Sequence, residues 1–220
     1  MHLKKTLIVL FVLCSTLYGY SQIKSGITLG VGRGGISNVV FPDDPWWDGY
    51  PIYDLAWEYR YNKMDLAIGF KHRIESKNKP FFYDIDFNVG LKRFSTFCSG
   101  GNYDYDEMKG EHFMAYFEHN FYSLSFNPTW NYRLIEGLHA GAGIEPILYF
   151  QNNTSYWELV EHWKFDLPLT AKVGYDFRSI DFSISYKHGL FNTMERKYFK
   201  SANYRSVLLS VFIPICLDCR

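Results

Sequence analysis

The chain of 220 residues balances 23 Lys and Arg against 23 Asp and Glu, takes 20% of its residues from Phe, Trp and Tyr, and has a mean hydropathy of −0.20. No basic excess exists to grip nucleic acid, and beyond the N-terminus no apolar run reaches the length of a helical membrane span. The length suits one domain, and the aromatic excess suits a barrel with aromatic girdles at two interfaces.

The N-terminus reads as an export signal over residues 1–21. Lys4-Lys5 precede the apolar run Leu7–Leu13, and Gly19 and Ser21 supply small residues before Gln22. The run is too short for a membrane helix and fits a removable secretory signal. Leu13 is bulky before Cys14, where a lipidation site wants a small residue. Cleavage removes two Lys and no acid, so the mature chain, residues 22–220, carries two net negative charges.

Behind the signal, nine segments alternate apolar and polar residues with period two, the signature of strands with one oily and one wet face. In chain order they centre on Ile27-Leu29-Val31, Tyr53–Tyr61, Met64–Phe70, Phe81–Leu91, Tyr122–Tyr132, Leu138–Phe150, Trp163–Phe177, Ile180–Tyr186 and Val207–Ile213. In the seventh, every odd position from Trp163 to Phe177 is apolar and every even one is polar, Gly or Pro. Leu167, Leu169 and Val173 therefore face lipid, while Asp166, Thr170 and Lys172 point inward. Tight turns are expected at Tyr61-Asn62-Lys63, Ile135-Glu136 and Arg178-Ser179. Longer loops are expected at Val40–Tyr50, Cys98–His112, Gln151–His162 and Phe191–Asn203. Short turns at one end and long loops at the other are the outer-membrane habit.

The fold expected is all-β: a closed antiparallel up-and-down transmembrane β-barrel of 8–10 strands. A soluble sandwich would alternate too, but here the apolar faces end in aromatics and the polar faces carry charge in almost every strand. Nine strands would be odd, whereas single-chain bacterial barrels are even. Either His112–Glu118 adds a strand with a turn near His119-Asn120, giving ten, or Ile27–Val39 does not span, giving eight.

The second half resembles a known family. Tyr122–Arg133 resembles the "YLEIPLLLKYRF" strand of the small outer-membrane β-barrel family of Bacteroidetes, which includes PorT-like proteins. Ala140-Gly141-Ala142-Gly143-Ile144 is similar to its "aGaGi" strand, Phe165-Asp166…Val173-Gly174-Tyr175 to "FDxGxxxGxGY", and Tyr186–Asn192 to "YxxGLxN". Ser125-Phe126-Asn127 departs from the pattern. So does the C-terminus, which runs past Phe212, the stand-in for a terminal aromatic, through Pro214 to Arg220. The resemblance covers roughly residues 121–213 and implies a barrel, an outer-membrane location and an accessory role in secretion.

Chemistry is sparse. The inward face interleaves Asp54, Glu58, Arg60, Asp65, Lys71, Arg73, Asp84, Asp86, Lys92, Arg133, Glu145, Lys164, Asp166, Lys172, Asp176, Asp181 and Lys187. In a narrow barrel such residues form a paired ionic plug rather than a channel. His188 lies on the opposite face from Ser183 and Ser185, so no hydrolytic set forms there. His139 and Glu145 share a face but lie about 20 Å apart along a strand. His112, Glu118 and His119 have only loose metal-ligand character. The acidic, aromatic loops Phe41–Tyr50 and Asn102–Glu107 read as caps at lipopolysaccharide headgroups. Cys98, Cys216 and Cys219 read as a terminal disulfide or free thiols.

The chain is thus expected in the outer membrane of a Gram-negative cell, as a barrel without enzymatic activity serving envelope structure, surface contact or secretion. Its expected partners are outer-membrane lipid, lipopolysaccharide and the barrel assembly machinery. No catalytic, cofactor or metal residue is assigned. The alternatives are a narrow pore for small solutes and a lipid A-modifying enzyme.

Overall fold

In a computed structural model, residues 21–40, 46–47, 50–51, 53–76, 80–104, 109–151, 164–192 and 201–216 are described. The export signal, Cys219, and most of the long loops therefore lie outside the described residues. So do the side chains of Asp54, Glu58, Arg60, Cys98, His112 and Cys216.

Eight strands close into a ring. They are β1 (Ser21–Val40), β2 (Tyr53–Asn62 continued by Met64–Ser76), β3 (Phe81–Asp104) and β4 (Lys109–Arg133). After them come β5 (Leu138–Ile144 and Ile147–Gln151), β6 (Lys164–Asp166 and Leu169–Phe177), β7 (Ile180–His188) and β8 (Ser201–Cys216). Each strand pairs antiparallel with the next, and β8 returns to pair with β1 from Ser25↔Cys216 to Val40↔Ser201. Closure leaves no free edge around the ring, which is how a sheet satisfies its backbone in lipid. The chain is an all-β, up-and-down transmembrane barrel.

The even count arises differently from either route considered above. The expected turn at Tyr61-Asn62-Lys63 is not a turn. Both halves of β2 pair with β3 in the same sense, Asn62↔Phe94 and then Leu66↔Leu91. The ladder to β1 also runs on, through the Gly34 amide to the Lys63 carbonyl at 3.3 Å. The apolar residues change parity because of bulges, which insert a residue without reversing the strand. The strand at Ile27 is present and paired on both sides. No turn falls at His119-Asn120, and β3 and β4 pair without slip from Phe81↔Tyr132 to Asp104↔Lys109. Most of the expected Cys98–His112 loop is thus strand.

Pro146 and Pro168 interrupt β5 and β6 because proline lacks an amide to donate. The register survives: Phe126 donates to the Pro146 carbonyl (3.0 Å) and Glu145 to that of Pro168 (2.8 Å). The turns at Leu134–Gly137 and Arg178-Ser179 lie where the sequence put them. They share one end of the barrel with both ends of the described chain, Ser21 and Cys216. β7 crosses in nine residues, close to the minimum for a tilted membrane strand. β3 and β4 have 24 and 25 residues, so their hairpin, with the first half of β2, runs on past the loop end of the ring.

Side-chain placement is inverted relative to a soluble protein. Ile68 and Ile184, at 57% exposure, belong to an outward belt of Leu, Val, Ile, Phe, Tyr and Trp that circles the wall. Inside, Asp84 is 0% and Arg73 1% exposed. An outer face this apolar is stable only against hydrocarbon. Aromatics gather toward the turn end, where Phe81 stacks on Trp130 (5.1 Å, 14°) beside Tyr132.

Candidate functional site in the barrel interior

The interior is filled in tiers, each delivered by strands whose inward parity carries polar residues. The tier nearest the turns centres on Arg73 of β2. Its Nε and one terminal nitrogen grip the Asp84 carboxylate at 2.7 and 3.1 Å. The other terminal nitrogen donates to Asp176 at 2.7 Å, and Asp181 completes the set. The guanidinium also lies 4.5 Å from the Phe82 ring centroid, a cation–π contact. His139 Nε2 lies 2.9 Å from the same Asp181 carboxylate. At the mouth, Glu75 accepts from Arg133 (2.8 Å) and pairs with Lys24 (3.0 Å).

His139, Asp176 and Asp181 bring ligand-type atoms within 4.8 Å of one another. Arg73 donates to both of those carboxylates. The positive charge that a metal ion would bring to this trio is therefore already supplied by Arg73.

In the middle tier, Lys172 pairs with Asp84, and Lys71 lies 3.4 Å from Asp86 and 3.8 Å from Asp84. Above them Lys187 binds Glu145 at 2.7 Å. A polar void of about 30 Å³ remains between these tiers, lined by Thr28, Lys71, Asp86, Lys172, Ser183 and Lys187 among others. That is room for roughly two waters.

Toward the loop end the interior becomes apolar. Ile36, Phe94, Phe121, Ile147, Tyr149, Ala202 and Tyr204 form a buried cluster, with His119 stacked on Phe94 at 4.6 Å. Tyr204 donates to Asp65 at 2.7 Å, and Lys92 lies 3.5 Å from the same carboxylate. A Cβ on Gly34 would fall 1.7 Å from the Tyr204 hydroxyl. The glycine is what lets this trio form. Sequence reasoning missed the layer, although its signal is present: on the inward parity, polar residues give way to Ile36, Phe94, Phe121 and Tyr149 as each strand nears the loops.

Of the charges expected inside, Asp65, Lys71, Arg73, Asp84, Asp86, Lys92, Glu145, Asp166, Lys172, Asp181 and Lys187 are buried. Arg133, Lys164 and Asp176 are half-buried. Glu75, not anticipated, joins them. Leu169 and Val173 face out and Thr170 faces in, as read. Phe212, read as a terminal aromatic, instead lies buried in the interior beside Lys71 and Arg73, because its parity is that of Ser206 and Leu208. His188 sits outward beside Tyr186 (ring centroids 6.3 Å), away from the buried Ser183 and Ser185. His139 and Glu145 serve different tiers. Glu118 faces out and pairs with Lys63, while His119 is buried inside, so these two do not converge.

Two of the motifs meet. The Asp166 carboxylate accepts from the amides of Leu167 (2.7 Å) and Phe191 (3.0 Å). Gly189 fits against it, since a Cβ there would lie 2.2 Å from Asp166 Oδ2. The Gly189 amide donates to the Tyr204 carbonyl at 2.8 Å, and Asn203 Nδ2 to the Gly189 carbonyl at 3.1 Å. This clasp anchors the start of the long connection between β7 and β8.

No protein-family model matches the chain, and no curated protein matches it. Among solved structures, it is similar to Ail, the attachment invasion locus protein of Yersinia pestis, in complex with the heparin analogue sucrose octasulfate. That likeness has 13% identity, covers 87% of this chain and 97% of that one, and has a TM-score of 0.41. A second Ail structure, also at 13% identity, covers 86% and 96%, with a TM-score of 0.37.

Proposed function

We propose that the chain is an exported, integral outer-membrane β-barrel of the PorT-like kind found in Bacteroidetes. In this reading it has no enzymatic activity and serves envelope structure, surface contact or secretion. The single observation that carries the reading is the inverted packing: an apolar belt outside, and inside it charged tiers paired Arg73–Asp84, Lys172–Asp84 and Lys187–Glu145. Buried charges of both signs satisfy one another there, and an aromatic layer stands above them. The barrel is a closed post in the membrane rather than a conduit. Its long-loop end faces outward and its turn end faces the periplasm. Insertion requires the barrel assembly machinery, and the outer contacts are lipopolysaccharide.

Purified protein in planar bilayers is expected to show no steady, porin-like current, and cell fractionation is expected to place it in the outer membrane. A stable open channel would replace this reading with the solute pore. A change in lipid A mass between cells with and without the gene would replace it with the modifying enzyme.

A further inference from the structure

The lipid-facing wall is not uniform. Across β8, β1, β2, β3 and β4 it is hollowed into an apolar groove of about 540 Å³, walled by Leu29, Val31, Leu66, Ile68, Val89 and Leu209 among others. Arginines stand directly above it. Arg33 follows Val31 by two residues on β1, and Arg93 follows Leu91 by two on β3, each on the outward parity of its strand. Arg205 does the same on β8, above Val207 and Leu209, and pairs with Gly35. Arg33 is registered with Met64 of β2 and with Val207 of β8. Arg33 and Arg93 are thus two strands apart, about 10 Å at the usual strand spacing. Arg93 keeps a hydrogen bond to Asn120 (3.1 Å). Glu118, on the same rim, is already matched by Lys63. The row therefore keeps its positive charge.

We propose that this groove and its arginine row form a seat for an outer-leaflet lipid whose headgroup carries phosphomonoesters and a net negative charge. Acyl chains lie along Val31, Leu66 and Ile68, and the phosphate bridges Arg33 and Arg93, with Arg205 beside them. The chemistry fits at both ends. Within the membrane belt the available filler of an apolar groove is an acyl chain. Guanidinium groups bind phosphate oxygens in bidentate fashion and hold more than a single point charge would. The proposal rests on the reading of the chain as an outer-membrane barrel with its loops outward, since only then does the row meet the outer leaflet.

The test is native mass spectrometry of the full-length mature protein released from detergent, offered bis-phosphorylated lipid A, its monophosphorylated form, or phosphatidylethanolamine. Wild type is expected to retain the bis-phosphorylated lipid most and phosphatidylethanolamine least. The Arg33→Gln/Arg93→Gln/Arg205→Gln variant is expected to lose lipid A retention by about tenfold or more, each arginine near a charged surface adding its share. The three single changes are read the same way, so a folding defect in the triple variant does not shield the proposal. Arg→Lys versions should retain part of the binding. Equal retention of lipid A and phosphatidylethanolamine by wild type would overturn the lipid seat, as would unchanged retention by the Gln variants. A wild type that fractionates away from the outer membrane would instead overturn the reading beneath it.

Discussion

Replacing Arg73 by Met tests the interior most sharply, because one side chain there pairs with three carboxylates. The loss does not fall equally on the three. Asp84 keeps Lys172 and, at 3.8 Å, Lys71. The Asp176 side chain is 25% exposed, so water takes over much of its solvation. Asp181 is 1% exposed and, among the described residues, keeps only His139 as a close partner. Most of the cost therefore sits on Asp181. Removing one partner of a buried charge set costs about 3–5 kcal/mol, and that is the loss expected for Arg73→Met. The assay is urea unfolding in lipid vesicles followed by tryptophan fluorescence, since Trp130 lies on the lipid face. Adding Asp181→Asn to Arg73→Met should recover most of the loss, with a coupling of about 2–3 kcal/mol, at the upper end for residues in contact. Adding Asp176→Asn should recover little. If Arg73→Met unfolds within about 0.5 kcal/mol of wild type, the interior is hydrated and the closed plug is wrong. Equal rescue by the two Asn changes would refute the assignment of the cost to Asp181.

Four further outcomes are expected. Ile184→Arg, halfway along β7, should cost about 2–4 kcal/mol, whereas Leu169→Arg, registered with His188 at the loop-side rim, should cost about 0–1 kcal/mol; vesicle unfolding that ranks them equally would show that the belt is not in a bilayer. Gly34→Ala should destabilise by about 1–3 kcal/mol through overpacking against Tyr204 and Asp65, and Gly34→Ala/Tyr204→Phe, which removes the clashing hydroxyl, should recover part of that in the same assay. Asp166→Ala should speed protease cleavage between β7 and β8 while vesicle unfolding of the barrel stays close to wild type; unchanged cleavage would show that the clasp does not hold that connection. The mature protein is expected to begin at Gln22, and mass spectrometry of protein from the native host that found Met1 intact would exclude the export signal.

Period-two alternation, read from sequence alone, determined which way the described strand residues face, because a strand offers only two faces and its neighbours cannot change that. Val173 out and Lys172 in follow from the chain by itself. What pairs with what was not legible. A parity slip has the same appearance whether the chain turns back or bulges, and at Tyr61-Asn62-Lys63 only the pairing of both halves with β3 decides that it bulges. Near His119, where the sequence allowed a turn, β3 and β4 stay paired with no register shift, so the strand simply continues. Arg73 meets Asp176 and Asp181 across more than a hundred residues. Barrel closure and strand stagger set those meetings, and they are properties of the ring as a whole. The arginine row above the apolar groove belongs to the same class. Arg33, Arg93 and Arg205 are scattered singly through the sequence, and the tertiary structure lines them up because β8, β1, β2 and β3 lie side by side in the wall.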